Sequence, residues 1–277
     1  MKKLFSYTEK GIAKYNEDQV GISKNVVWVI DGATPLFQKN FFSNQNDVVW
    51  LAEQINNRLP DFVDDALSLE DILLQTVQQI EQDAYRIKED LDTIKEYELP
   101  TFTIAMVRII DQQLEYYVLG DCGALLESSD GTITYLTDKR LERFNERNKQ
   151  AIITIQSIAP PEERERLKLE ALMNTRKLLN KENGYWVGSI DGKGIPHGIT
   201  GKMEVAKNAK VLLFSDGYAS LFELYKLIDI HDFSFNEAAI QNTIKQVRAT
   251  EEQDSNCVLY PRPKKSDDLT VILIENS

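Results

Sequence analysis

Five short acidic segments carry the chemistry this sequence could perform. Val26-Val27-Trp28-Val29-Ile30 ends in Asp31-Gly32, and Tyr116-Tyr117-Val118-Leu119 ends in Gly120-Asp121. Val211-Leu212-Leu213-Phe214 passes through Ser215 into Asp216-Gly217. Ser266-Asp267-Asp268 precedes the last apolar run, and Asn16-Glu17-Asp18-Gln19 lies shortly before Asp31. Asp-Gly after a strand is often only a turn, because Gly accepts positive φ and Asp bonds its own backbone. Asp130-Gly131, after Ser128-Ser129, reads as such a hairpin tip, and Asp191-Gly192 repeats the dipeptide. Asp31 and Asp216 differ, because they follow deeply apolar runs where an unpaired carboxylate is costly.

Carboxylates converging at one end of a sheet repel each other unless cations lie between them. An all-oxygen donor set selects a hard ion, Mg²⁺ or Mn²⁺, over zinc. A Gly beside the Asp lets the backbone approach, so that its carbonyl becomes a further donor. Two such ions about 3.5–4 Å apart can activate a water and clamp a phosphoryl group. The histidines, His197 and His231, have no nucleophile pattern near them, so no Ser/His/Asp or Cys/His arrangement competes.

The elements that must position these groups are short strands and amphipathic helices. β-branched and aromatic runs predict strands over Val26 to Ile30, Thr101 to Ile110, Leu114 to Leu119, Gly123 to Glu127, Thr132 to Leu136, Val211 to Phe214 and Leu269 to Ile274. Ser68 before Leu69-Glu70-Asp71 opens a helix. Leu73, Val77, Ile80, Ala84, Ile87, Leu91 and Ile94 then follow at spacings of four and three, one stripe of six turns or more packed on a sheet. Further helices are expected over Asp47 to Leu59, Pro161 to Lys181, Tyr218 to Leu227 and Asn236 to Val247. Strands in neighbouring pairs and helices in pairs imply an α+β architecture, helices covering antiparallel sheets. The breaker run Tyr260 to Lys265 is too short and too late to join two domains, so a single domain over 1–277 is expected.

Composition narrows the partners. Of 277 residues, 42% are hydrophobic and 27% charged, which places the chain among globular proteins. With 32 basic against 44 acidic residues the net charge is −12, which opposes nucleic acid and any basic membrane anchor. Cys122 and Cys257 make neither a disulfide framework nor a zinc cluster. The N-terminus turns polar at Thr8-Glu9-Lys10, and no apolar run approaches a membrane span, so a cytoplasmic location is expected.

In order and spacing the acidic segments resemble the PPM family, the PP2C-type metal-dependent protein phosphatases, in its bacterial form. Asn16-Glu17-Asp18 is similar to the first acidic motif and Ile30-Asp31-Gly32-Ala33-Thr34 to the Asp-Gly motif. Leu99 to Ala105 stands where a small-residue core strand opens, and Leu119-Gly120-Asp121-Cys122-Gly123-Ala124 resembles Gly-Asp-Ser-Arg-Ala. Phe214-Ser215-Asp216-Gly217 and Ser266-Asp267-Asp268-Leu269-Thr270 resemble the last two motifs. The resemblance implies a four-layer αββα sandwich with a binuclear Mn²⁺ or Mg²⁺ centre. Asp31 would bridge both ions, Gly32 would offer its carbonyl, and Asp216 and Asp267 would complete the first shell. Glu17 and Asp18 would lie nearby, partly through water, and Asp121 would help hold a third, weaker ion. The implied reaction is hydrolysis of phosphoserine or phosphothreonine by a metal-bound water, without a phosphoenzyme. The implied partners are a phosphoprotein substrate and a cognate Ser/Thr kinase, with no nucleic acid and no membrane.

Departures from the family pattern frame the alternatives. The phosphate-gripping arginine expected three residues before Asn16 is Ala13, with Lys14 beside it as a substitute point charge. Ala33 stands where eukaryotic members often have His, and Cys122 reads as a small buried thiol rather than a redox switch. Asp268, in place of the usual Asn, adds negative charge near the site. The segment from about 140 to 208 diverges and includes the family's flap. There Arg176 is a candidate for the missing arginine, although a basic residue on a helix is ordinarily a solvated face, and Tyr185 and Trp186 read as packing groups. Ala13 keeps open a phosphatase-like binding module without turnover, and the divergent flap keeps open a small phosphoester as substrate.

Overall fold

The computed structural model describes residues 1–36, 39–128 and 130–276. Its strands are β1 (Lys2–Glu9), β2 (Gln19–Ser23), β3 (Val26–Gly32), β4 (Thr101–Ile110), β5 (Gln113–Leu119), β6 (Gly123–Glu127), β7 (Ile133–Thr137), β8 (Gly188–Ser189), β9 (Ile199–Glu204), β10 (Lys210–Phe214) and β11 (Leu269–Glu275). The α-helices are α1 (Asp47–Phe62), α2 (Leu69–Ile87), α3 (Glu142–Ile158), α4 (Pro161–Arg176), α5 (Asp216–Glu223) and α6 (Glu237–Gln253). One antiparallel sheet runs β1-β11-β10-β6-β7; the other runs β2-β3-β4-β5-β9, with β8 added to β4.

Alternation along buried strands sets the layers, since successive side chains point to opposite faces. On β3, Val26, Trp28 and Ile30 pack against Leu51, Ile55 and Leu59 of α1 and Leu73 and Ile80 of α2. Val27 and Val29 face the second sheet and meet Val211 and Leu213 of β10 and Ile272 and Ile274 of β11. The opposite face of β10, Leu212 and Phe214, packs on Tyr218 and Phe222 of α5 and Ile240 and Val247 of α6. The result is α1/α2, sheet, sheet, α5/α6: the αββα sandwich. The helices α3 and α4 form a further pair packed on each other at one edge.

Each strand expected from a β-branched run forms, no end moved by more than two residues. The strands β1, β2 and β9 were not expected. Their mixed or alternating exposure reflects strands with one face toward solvent, whose polar residues dilute the signal. Ser68 caps α2 by accepting from the Asp71 N–H, as expected, but the helix stops at Ile87. Lys88 is extended, and the Leu91–Thr93 turn carries Leu91 back onto the same core, so the apolar spacing outlasts the helix. The helix expected over Pro161 to Lys181 ends at Arg176, and α3 was missed because only Phe144 and Ile152 of its residues are buried. In the expected hairpin, Ser128 bonds Thr132 and Gly131 takes φ +82°, while Ser129 lies outside the described residues. No helix of the described residues is long and apolar enough to cross a membrane.

The acidic segment before β11 is delivered by a loop wound around one carboxylate. Asp254, just past α6, accepts from the backbone N–H groups of Val258 (2.8 Å), Leu259 (3.0 Å) and Tyr260 (3.0 Å) and pairs with Arg262 at 2.6 Å. Burial alone would raise this carboxyl, but those donors outweigh it and hold the pKa at about 2. A depressed folded-state value contributes stability above the ordinary carboxylate range and loses it as pH falls from about 4 toward 2. A single loop separates Asp254 from solvent, so screening limits the term to about 1–2 kcal/mol. Asp254→Asn is therefore expected to lower urea stability by about that amount at pH 7. The gap to wild type should narrow below pH 4, and equal stabilities at pH 7 would refute this account of the loop.

Candidate metal centre

Strand parity and chain direction bring the acidic segments together. Asp31 follows Val27 and Val29 in alternation and so stands on the inter-sheet side of β3, opposite Thr103 of β4. Asp216 opens α5 as β10 ends, and its N–H donates to Asp31 Oδ2 at 3.3 Å. Asp121 follows β5 in the turn at Gly120, whose φ of +83° and contact with the Thr103 side chain leave no room for a Cβ. Asp18 precedes β2 and Asp267 precedes β11, at the same end of the sandwich.

The electrostatics of this cluster are those of anions without enough counter-charge. Burial first, then Asp18, Asp267 and Asp121, pushes the Asp31 carboxyl well above its ordinary value, tempered by a hydrogen bond with the Asp216 side chain. Burial with Asp31, Asp267 and Asp121 does the same to Asp216. Asp121 is raised by burial and Asp267, against bonds from its own backbone, Thr103 and Asn145 of α3. Asp18 is 2% exposed and raised well above normal, chiefly by burial. The Ser215 and Thr270 hydroxyls temper it without reaching hydrogen-bond geometry, so both Asp18 carboxylate oxygens are buried without a partner. Orphaned acceptors of this kind call for a cation or water.

The donors fit a hard divalent ion: carboxylate oxygens alone, in a buried pocket of one sign, with two of those oxygens unpartnered. The carboxylates stand apart rather than closed on one point. Among the described residues no three acidic, His or Cys side chains are gathered at ligating spacing. Lys264 supplies part of the missing charge, pairing with Asp267 at 2.6 Å and donating to Thr34 Oγ1 at 3.0 Å. Burial opposes its charge, but Asp267, Asp216 and Asp31 together hold its pKa well above the ordinary lysine value.

Not every expected site residue faces the cluster. Glu17 is buried, but its carboxylate accepts from Thr34 Oγ1 and from Asn46 Nδ2 of the α1 cap, both at 2.8 Å. Gly32 donates its N–H to the Glu17 carbonyl at 3.1 Å, which locks the two motifs side by side. Asp268, expected to add free charge, is saturated instead: it accepts from the Gly11 and Glu17 N–H groups at 2.7 Å each. Lys14 is exposed, its ammonium 4.8 Å from the Tyr15 ring centre. Cys122 is fully buried, and burial with the surrounding carboxylates pushes its thiol well up, the opposite of a reactive thiolate.

Two cavities meet at the carboxylates. One of about 700 Å³ lies between α3, α5 and the 261–267 segment and is lined by Asp121, Asp216, Asp267 and Lys264. The other, about 170 Å³, is lined by Asp31, Asp121, Asp216, Thr101 and Arg176. The expectation of a solvated Arg176 is thus corrected: the side chain is half-buried and bonds Thr101 Oγ1 at 2.9 Å and the Thr34 carbonyl at 3.2 Å. Tyr185 and Trp186 pack as expected, against Phe144 and His197. Sequence reasoning missed Lys264; its signal was a lysine three residues before Asp267, fixed by Pro261 and Pro263.

Carboxylates that repel one another when no metal is bound make two linked predictions. Mn²⁺ should raise the melting temperature, by the equivalent of about 2.7 kcal/mol at a hundred times its Kd. Asp216→Asn should melt higher than wild type in chelator and gain little from Mn²⁺. A variant that melts lower in chelator yet keeps the full Mn²⁺ response would contradict the electrostatic picture.

No protein-family model matches the chain, and no curated protein sequence does. Solved structures do. Stp1, a serine/threonine phosphatase from Staphylococcus aureus, aligns with a TM-score of 0.58 at 13% identity, covering 100% of this chain and 95% of its own. The serine/threonine phosphatase PstP/Ppp of Mycobacterium tuberculosis aligns at 0.56 and 14% identity, covering 98% and 97%. A PstP catalytic domain in complex with two manganese ions aligns at 0.54 and 14%, covering 98% and 96%. At these identities the likeness is one of fold, and with the layers and sheet order above it gives this chain the fold of the PPM-type serine/threonine phosphatases.

Proposed function

We propose that this chain is a metal-dependent phosphoprotein phosphatase that hydrolyses phosphoserine and phosphothreonine in the cytoplasm, on substrates made by a Ser/Thr kinase. The observation that carries the reading is the convergence of Asp18, Asp31, Asp121, Asp216 and Asp267 at one end of the sandwich, with both Asp18 oxygens buried and unpartnered. The fold likeness supports it, as does the manganese bound by one of the similar structures.

In this reading Asp31, the Gly32 carbonyl, Asp216, Asp267 and Asp18 would hold two Mn²⁺ or Mg²⁺ ions, and Asp121 would help hold a third. When bound, the ions supply an activated water and neutralise charge on the phosphoryl oxygens. Glu17, anchored by Thr34 and Asn46, holds the Asp31-Gly32 turn in place through its backbone. Asp268 fixes Gly11 and Glu17 and so sets the position of Asp18. Lys264 holds Asp267 and leaves that carboxylate one oxygen for metal. Lys14 is exposed with its ammonium over the Tyr15 ring, and it lines neither of the two cavities. The larger cavity, about 700 Å³, has room for residues flanking a phosphoamino acid.

The test is phosphate release from a phosphothreonine peptide as Mn²⁺ is titrated. Release should require the metal and fall at least about a hundredfold in Asp216→Asn, since losing a metal-site contact costs at least that scale. Release that persists in chelator would overturn the mechanism. A folded, Mn²⁺-loaded protein that keeps the phosphopeptide intact would point to the binding module, and faster turnover of small phosphoesters to the other substrate class.

A further inference from the structure

Arg176 is a half-buried cation with no acidic partner: none of the ion pairs among the described residues involves it. Its setting disfavours its charge, burial lowering its pKa against only distant help from Tyr185 and Glu17. A guanidinium has five N–H donors. Thr101 Oγ1 and the Thr34 carbonyl take two, which leaves three. The carbonyl and hydroxyl orient the side chain without neutralising it. It lines the 170 Å³ cavity together with Asp31, Asp121 and Asp216. That space is several times the ~30 Å³ share of one water molecule.

We infer that Arg176, delivered by α4, is the group that binds the substrate phosphoryl oxygens, which makes the α3–α4 pair part of the catalytic site. The inference rests on the phosphatase reading above and adds to it a residue and an element. An anion in this cavity would be attracted both by ions held at the carboxylates and by the guanidinium. Neither Lys264, on the adjoining cavity, nor Lys14 is free for the task. Lys264 is spent on Asp267 and Thr34 Oγ1, and Lys14 is exposed over Tyr15. At the position where the family pattern supplies an arginine from the N-terminal segment, this chain has Ala13. Arg176, which lines the cavity, stands more than 160 positions later in the chain. One contact ties the end of the delivering helix to α3, Thr175 Oγ1 donating to Asn148 Oδ1 at 2.6 Å, and Arg143 of α3 holds the segment beyond it by donating to the Gly184 carbonyl at 2.9 Å. The planar fork can offer two parallel N–H groups to two phosphoryl oxygens, which a lysine cannot.

The experiment titrates inorganic phosphate calorimetrically into the full chain loaded with Mn²⁺, in wild type, Arg176→Met and Arg176→Lys, and measures Mn²⁺ affinity separately. A lost charge-assisted bond corresponds to a roughly 10–100-fold weaker phosphate Kd in Arg176→Met. Mn²⁺ affinity and melting temperature should stay near wild type, and Arg176→Lys should fall between. With phosphopeptide the loss should appear in KM as well as in kcat, since the contact already exists in the bound substrate. An unchanged phosphate Kd in Arg176→Met overturns the inference and leaves the phosphatase reading standing. Parallel loss of Mn²⁺ affinity also overturns it, by showing that Arg176 only supports the carboxylates. If Arg176→Met does not fold, Arg176→Lys decides: phosphate binding equal to wild type overturns the role of the fork. Wild-type protein that binds Mn²⁺ but no phosphate overturns the phosphatase reading and this inference together.

Discussion

Repulsion among Asp18, Asp31, Asp121, Asp216 and Asp267 is the force that the surrounding structure has to withstand. Two unit charges 4 Å apart cost about 4 kcal/mol at an effective dielectric of 20, so a group of them rivals the net stability of a domain. The fold meets this by placing the carboxylates where the backbone cannot drift. Asp31 ends a strand fully buried from Val26 to Ile30 and bonded on both sides, to β2 and β4. Asp216 begins a helix whose first turn packs so closely on the Asp268 carbonyl that Gly217 has no room for a side chain. Movement that would relieve the repulsion would break the layer packing, which is the more costly of the two.

The acidic residues near this end divide by what their oxygens meet. Asp47 accepts from the N–H groups of Phe41, Phe42 and Ser43; Asp254 has three backbone donors and Arg262; Asp268 has two backbone donors. These carboxylates are tools of chain direction, stabilised as anions by fixed dipoles. Asp18, Asp31 and Asp216 have few or no donors, and their pKa moves up where that of Asp254 moves down. One residue type thus serves two purposes at one end of a sandwich, and the donors that each carboxylate meets separate them. A carboxylate left short of donors in the interior is retained for something that arrives from outside.

That division explains how far the sequence could be read. The central strands were legible because β-branched runs buried on both faces leave a continuous signal, and the acidic ends of those runs marked Asp31, Asp121 and Asp216. Partly exposed strands such as β1 and β9 were hidden by the polar residues of their solvent faces, and α3 by having only two buried residues. Asp268 looked like one more free charge beside Asp267, because adjacency in sequence says nothing about which carboxylate turns toward backbone donors. Arg176 could be named as a candidate but not placed, because the groups it bonds, Thr101 and Thr34, lie 75 and 142 residues away. Lys264 carried only its nearness to Asp267 as a signal.

The contrast between the two walls of the site follows from how each kind of charge acts. In the phosphatase reading, metal donors must be placed closely and rigidly, which favours positions at the ends of buried strands. Charge on a bound phosphoryl group is satisfied by a guanidinium from any direction that the cavity allows, because attraction depends on distance and not on which segment carries the cation. A position such as residue 13 can therefore become Ala when another element brings an arginine to the same space. The helix pair α3–α4 can supply it because it packs at the edge of the sandwich with few buried residues of its own, so its sequence is free to change without disturbing the core. The same freedom removes it from the reach of motif reading: the wall most constrained by geometry is visible in the sequence, and the wall constrained only by charge appears once the chain is folded.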